Sequence, residues 1–152
     1  MLDGRHARVS LFGLLVILML SGCSSTPRTP SNRLAAVIIK DHPITQVNSV
    51  AQTVFKEHGF QVARQEPGEI VFEKEGSNMD TLVYGDWSEK KVWVRVKAFL
   101  RVMRPTEEVL LDCDAYMVID LGDPRFEEPH KLTKVHRKHY QELLDEVSRR
   151  LN

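Results

Sequence analysis

An α+β fold is what this sequence predicts, and two observations carry it. The first is a pair of long stretches, residues 92–103 and 108–121, in which every second side chain is apolar. The second is a pair of stretches, 44–58 and about 131–151, in which apolar residues recur at spacings of three and four. A period of two belongs to a half-buried strand and a period of 3.6 to an amphipathic helix. With shorter strand candidates between them, these stretches predict a two-layer sandwich. One antiparallel sheet of about five strands would carry both long helices on its apolar face.

The elements follow in order. Residues 34–39 form a short apolar run with β-branched members, which reads as a buried strand. His42-Pro43 stops it, because a residue before proline avoids the helical region. Ile44, Val47, Ala51, Val54, Phe55 and His58 then give a helical stripe, with Pro43 as its first residue and Gly59 as its stop. Residues 60–64 and 70–75 read as strands around Glu66-Pro67-Gly68-Glu69, which suits a type II turn. In 78–85, Asn78 suits a helix cap while Thr81 to Tyr84 are strand-prone, so both readings stand. Tyr84 and Trp87 beside it read as packing anchors.

The long strand pair sets its own register. Arg104-Pro105-Thr106-Glu107 is a four-residue loop, which places Met103 opposite Glu108. Counting back, Val102 meets Val109, Leu100 meets Leu111, Ala98 meets Cys113, Val96 meets Ala115, Val94 meets Met117 and Val92 meets Ile119. Every pair is apolar, and a slip of one residue would turn them all outward. Cys113 therefore reads as a buried structural thiol. The opposite face pairs Trp93 with Val118, Arg95 with Tyr116, Lys97 with Asp114 and Phe99 with Asp112, with Arg101 diagonal to Asp112. One reading is a solvated face carrying neutralised charge pairs. The sharper one is a binding surface made by Trp93, Arg95, Phe99 and Tyr116, since Trp, Tyr and Arg are enriched at interaction hot spots.

After Gly122-Asp123-Pro124 the chain reads as irregular up to Pro129, with Phe126 tucked in. The last helix then presents Leu132, Val135, His136, Tyr140, Leu143, Leu144, Val147 and Leu151 along one stripe. The element order is reminiscent of helix-grip or TBP-like domains, an analogy of fold alone.

The N-terminus is more specific. Arg5, His6 and Arg8 precede the apolar run from Val9 to Leu20. That is the layout of a secretory signal peptide, and the run is too short to span a bilayer. It ends in Leu20-Ser21-Gly22-Cys23, which resembles a bacterial lipobox. The resemblance implies a diacylglyceryl thioether on Cys23, cleavage before it, and acylation of the new amino terminus. Ser24 in place of Asp implies, in enteric-type bacteria, delivery to the outer membrane, facing the periplasm. Residues 1–22 are then a cleaved signal, and 23–32 a lipidated cysteine with a Ser/Thr/Pro tether. Residues 33–152 make a single α+β domain held near the membrane.

Composition and motifs narrow the function. The chain has 21 basic and 21 acidic residues; cleavage removes Arg5, Arg8 and Asp3, for a formal net charge of −1. A near-neutral domain lacks the basic excess of a nucleic-acid binder. With Cys23 lipidated, Cys113 has no disulfide partner, so the disulfide framework of many exported domains is missing. His136 and His139 stand three apart with Glu142 and His130 nearby, but Lys134, Arg137 and Lys138 would repel a cation. We therefore expect no metal and no cofactor other than the covalent lipid. Asp112, Asp114 and Asp120 share a strand face, and Lys97 and Arg101 opposite them suit charge pairing better than acid-base work. The chain carries no nucleophile elbow, phosphate loop or dinucleotide fingerprint. The sequence thus predicts a non-enzymatic envelope lipoprotein with a protein-binding or scaffolding domain for another envelope protein. The alternative is a carrier of a small amphiphile, held between the sheet and the C-terminal helix.

Overall fold

The computed structural model describes residues 31–76, 92–119 and 127–152. The lipobox and its Cys23, the tether up to residue 30, the 78–85 segment with Tyr84, Trp87, Asp120 and the 120–126 stretch with Phe126 lie outside the described residues. The elements are β1 (Ala35–Ile39), α1 (Ile44–Glu57), β2 (Gln61–Glu66), β3 (Glu69–Glu75), β4 (Val92–Met103), β5 (Glu108–Ile119), β6 (Glu128–Lys131), a 3-10 turn (Lys134–His136) and α2 (Arg137–Leu151). All six strands belong to one antiparallel sheet in the order β1-β5-β4-β3-β2, with β6 also on β5. The class is α+β, as the two periodicities predict.

The β4–β5 register runs from Val92 opposite Ile119 to Met103 opposite Glu108, pair for pair as counted from the loop. Ala98 faces Cys113, and both are fully buried. The buried residues of both helices belong to the same core cluster as these inward positions. At its centre Phe55 of α1 stacks on Phe72 of β3, with centroids 4.2 Å apart and planes 7° apart.

α1 ends as its sequence requires. Gly59 takes a φ of 84°, a left-handed value that glycine adopts without strain. The Gly59 N–H donates to Lys56 O and the Phe60 N–H to Phe55 O, each at 3.0 Å. These are the two bonds of a Schellman motif. Its usual apolar contact is present as well, with the Phe55 and Phe60 rings 5.4 Å apart. Pro43 is the N-cap, one residue before the helix that it was expected to open. Gly68 has a φ of 79°, as a type II turn demands of its third residue.

Two features differ from the expectation. Residues 128–131 are a strand, and α2 starts only at Arg137. The reason is an open edge. β1 covers β5 from Val109 to Cys113, and beyond that point the backbone of β5 needs another partner. β6 supplies it, pairing Glu128 to Lys131 with Ile119 to Tyr116, and the Leu132 N–H extends the ladder to Ala115 O at 2.8 Å. Val135, which the helical stripe assigns to the core, is 87% exposed.

The outer edge of β1 is closed by a side chain. The Ala36 N–H donates to Gln141 Oε1 (3.2 Å), and Gln141 Nε2 donates back to Ala36 O (2.9 Å). The amide of α2 thus imitates one rung of a strand and satisfies an edge that would otherwise invite pairing. At the opposite edge, β2 is mostly exposed, carries Arg64, Gln65 and Glu66, and is bulged between Val62 and Arg64. Charges and bulges of this kind discourage edge-to-edge association.

Candidate functional site

Two regions of the domain gather chemistry. The first is the sheet face opposite the Cys113 side, which carries the predicted binding residues. Glu75, Glu73, Val71 and Glu69 of β3 stand beside Trp93, Arg95, Lys97 and Phe99 of β4. Those in turn stand beside Val118, Tyr116, Asp114 and Asp112 of β5. Trp93, Arg95, Phe99 and Tyr116 therefore do share one face, and all four are half-buried.

Most of them already have partners. Arg95 Nη1 and Nη2 donate to the two Glu127 oxygens at 2.8 and 3.0 Å, and its Nε donates to Glu73. Glu127 lies just ahead of β6, so this bidentate pair ties the β6 segment to the middle of the sheet. The Arg33 guanidinium lies 3.5 Å above the Phe99 ring, and Lys97 Nζ lies 5.4 Å from the Tyr116 ring. Trp93 is the member with the least committed side chain in this arrangement.

The expectation of a solvated face is overturned at β5. Asp112 is 0% and Asp114 4% exposed. Leu110, Val118 and Val71 on this face are buried too. The two acids are covered by a segment more than seventy residues away in sequence. Ser31 Oγ donates to Asp112 Oδ2 at 2.7 Å, and the Leu34 N–H donates to Asp114 Oδ1 at 3.2 Å. Arg33 bridges both acids, with Nε 3.0 Å from Asp112 Oδ1 and Nη1 2.9 Å from Asp114 Oδ2. Arg101 adds a second guanidinium on Asp112, and Lys131 of β6 an ammonium 3.0 Å from Asp114. Asp112 Oδ1 accepts no hydrogen bond of good geometry, so Arg33 holds that oxygen through charge. Burial pushes the Asp114 carboxyl up, but Lys131, the Leu34 N–H and Arg33 together hold it below the usual carboxylate range. Ser31 stood in the expected tether and Arg33 in an unremarkable lead-in to β1. Nothing in their local sequence signals that they cover the sheet.

Cys113 lies behind this network. Burial, aided by the negative charges of Asp114 and Asp112, pushes its thiol up to about 12. A thiol so rarely ionised is a poor nucleophile, which agrees with the structural role expected of it.

The second region is a cleft of about 490 Å³ where the 3-10 turn and the start of α2 meet the sheet. Its apolar lining is Val94, Met117, Leu132, Val135 and Tyr140. All but Val135 are buried, so they form the floor while Val135 stands at the rim. The polar lining is Lys74, His136, Lys138, His139 and Glu142. Both histidines of the three-residue spacing thus reach one cleft, and His130 does not line it. Burial, then the charges of Lys74 and His58, hold the His139 imidazole below its ordinary value, with Glu142 opposing. The Lys74 ammonium sits 4.4 Å from the Phe60 ring centre. Lys138 is 4.0 Å from Glu142, an exposed contact that contributes little. The sequence could not outline this cleft, because its floor comes from four separate segments and its rim from a turn that reads as helix.

No family model matches the chain, and no curated protein matches it.

Proposed function

We propose that this chain is a bacterial envelope lipoprotein, anchored by lipid on Cys23 at the periplasmic side of the outer membrane. Its domain binds a small amphiphile and does no chemistry on it. Both helices cover the apolar face of the sheet, and the ligand lies between that sheet and α2. The cleft is the observation that carries this reading. Its volume falls in the range of sites for drug-sized molecules, and its buried apolar floor is met by convergent polar groups at the rim. The position agrees with the carrier alternative drawn from sequence, and the partner commitments of Arg95 and Phe99 weigh against the outer face.

The test uses the mature chain with Cys23→Ser, which carries no acyl chains of its own, and decanol as probe. Decanol should bind, and Val135→Asp should weaken it about tenfold, because burying a valine contributes roughly 1.5–3 kcal/mol. The thermal midpoint should stay put, since Val135 is 87% exposed. Decanol that fails to bind, or binds Val135→Asp equally well, removes the carrier reading.

A second reading keeps the outer face as a docking surface for another envelope protein. The half-buried Trp93 and Tyr116, on one face of a sheet tied by the ion pairs of Arg95, favour it. Here Trp93→Ala should weaken crosslinking to an envelope partner in native membranes. Crosslinking unchanged from wild type would count against this surface.

A further inference from the structure

We propose that the segment from Ser31 to Leu34 clamps the domain to its tether so that the outer face of the sheet rests on the bilayer and the cleft faces away from it. This rests on the lipid anchor and the helix layer proposed above, and adds the surface that meets the membrane. The place where the chain enters the domain carries the proposal. Ser31, Arg33 and the Leu34 N–H all hold Asp112 or Asp114, whose carboxylates project from the outer face of β5. Arg33 also lies over the Phe99 ring of β4 on that face. The chain is therefore fastened to the middle of the outer face before β1 begins. Val94 and Met117 of the cleft floor alternate with Arg95 and Tyr116, so the cleft belongs to the other side of the sheet.

The tether is too short to hide this difference. Eight residues, 23–30, run from a lipidated Cys23 to Ser31. Eight links reach at most about 29 Å when fully extended, and a flexible chain of that length averages about 14–17 Å. With the outer face toward the bilayer, the average length is enough. With the helix layer toward it, the chain would first have to round β1, about 5–10 Å, and then pass helices about 10–12 Å thick. That takes most of the extended length and leaves the tether little conformational freedom. The face itself suits headgroups rather than acyl chains. Its aliphatic side chains Val71, Leu110 and Val118 are buried and so not free to insert. Half-buried Trp93 and Tyr116 offer amphipathic rings of the kind that settle at a membrane interface.

The test uses the full mature lipidated chain in vesicles of phosphatidylethanolamine and phosphatidylglycerol, with a phospholipid that carries a nitroxide on its headgroup. A single thiol is introduced by Ala63→Cys or by Arg149→Cys and labelled with a fluorescent maleimide. Cys113 is buried, so the label goes to the introduced thiol. Both positions are exposed, so the fold should tolerate the change. Ala63 lines a recess of the outer face with Val71 and Lys97, on β2, three strands or about 14 Å from β5. Arg149 stands near the end of α2. The nitroxide should quench the label at 63 several-fold more than the label at 149. Inserting about ten Gly/Ser residues between Pro30 and Ser31 lengthens the average tether to about 21–25 Å and should abolish the difference, with the protein still on the vesicles. Equal quenching at the two positions, or more at 149, overturns the orientation while leaving the anchor intact. A difference that survives the insertion overturns the clamped tether as its cause. Protein that does not stay with the vesicles removes the anchoring reading, and this proposal with it.

Discussion

Replacing Arg33 by alanine should destabilise the domain by about 2 kcal/mol, a large share of the marginal stability of a small domain. Removing one partner of a fully buried ion pair costs about 3–5 kcal/mol, because it leaves a charge without compensation in a poorly solvated place. Two features lower the figure here. Arg33 is itself 31% exposed, so water screens part of its attraction, and Arg101 stays behind on Asp112. Two features keep it substantial. Asp112 is wholly buried and one of its oxygens depends on Arg33 alone for charge, and Arg33 is the side chain that spans both acids. Urea denaturation gives the number. A double-mutant cycle with Asp112→Asn isolates the pair, and a coupling indistinguishable from zero would mean that Arg33 matters only through its contact with Phe99.

The same network has an acid limit whose sign follows from Asp114. Its folded carboxyl is held below the unfolded value, so its contribution is present above about pH 3.9 and is lost as pH falls through the lower folded value. Lys131→Met removes the largest of the groups that favour the carboxylate, so acid unfolding should begin at a higher pH in that variant.

Physical reasons separate what could be read in the sequence from what could not. The β4–β5 hairpin is legible because its register is over-determined. Six apolar pairs and a short loop agree on one alignment, and any slip would bury Lys97 and Arg95. α1 is legible because its period, its proline and its Gly59-Phe60 ending all point to the same boundaries. β6 is not, since Glu128-Pro129-His130-Lys131 has neither alternation nor apolar content. It is a strand only because β5 has backbone left to pair. The candidate site divides in the same way. That Trp93, Arg95, Phe99 and Tyr116 share a face follows from counting along a strand. That Arg33 covers Phe99 and buries Asp112 depends on where the chain travels before β1, which no local pattern encodes. The cleft was anticipated only as a place between sheet and helix, and its basic rim waited on the 3-10 turn.

On the anchoring proposed above, removing the lipid should have the largest effect of all, because it changes where the protein is found. Carried on an ordinary cleavable signal in place of residues 1–22, the Cys23→Ser chain should leave the membrane and appear in the soluble periplasmic fraction. One acyl chain holds a protein to a bilayer only marginally, while two or more hold it stably, so retention should fall off sharply once Cys23 has no thiol to modify. Among the described residues no helix is long and apolar enough to cross a membrane in its place. Loss from the membrane could also follow from misfolding, and Cys113 separates the two outcomes. The chain has two cysteines, so in this variant Cys113 is its one thiol. Buried, and with its thiol pushed up to about 12, it should resist a maleimide until the domain is unfolded in urea. Soluble protein that labels only after unfolding is a folded domain cut loose from its anchor, the expected result. Folded protein that stays with the membrane would show that something other than Cys23 holds it there.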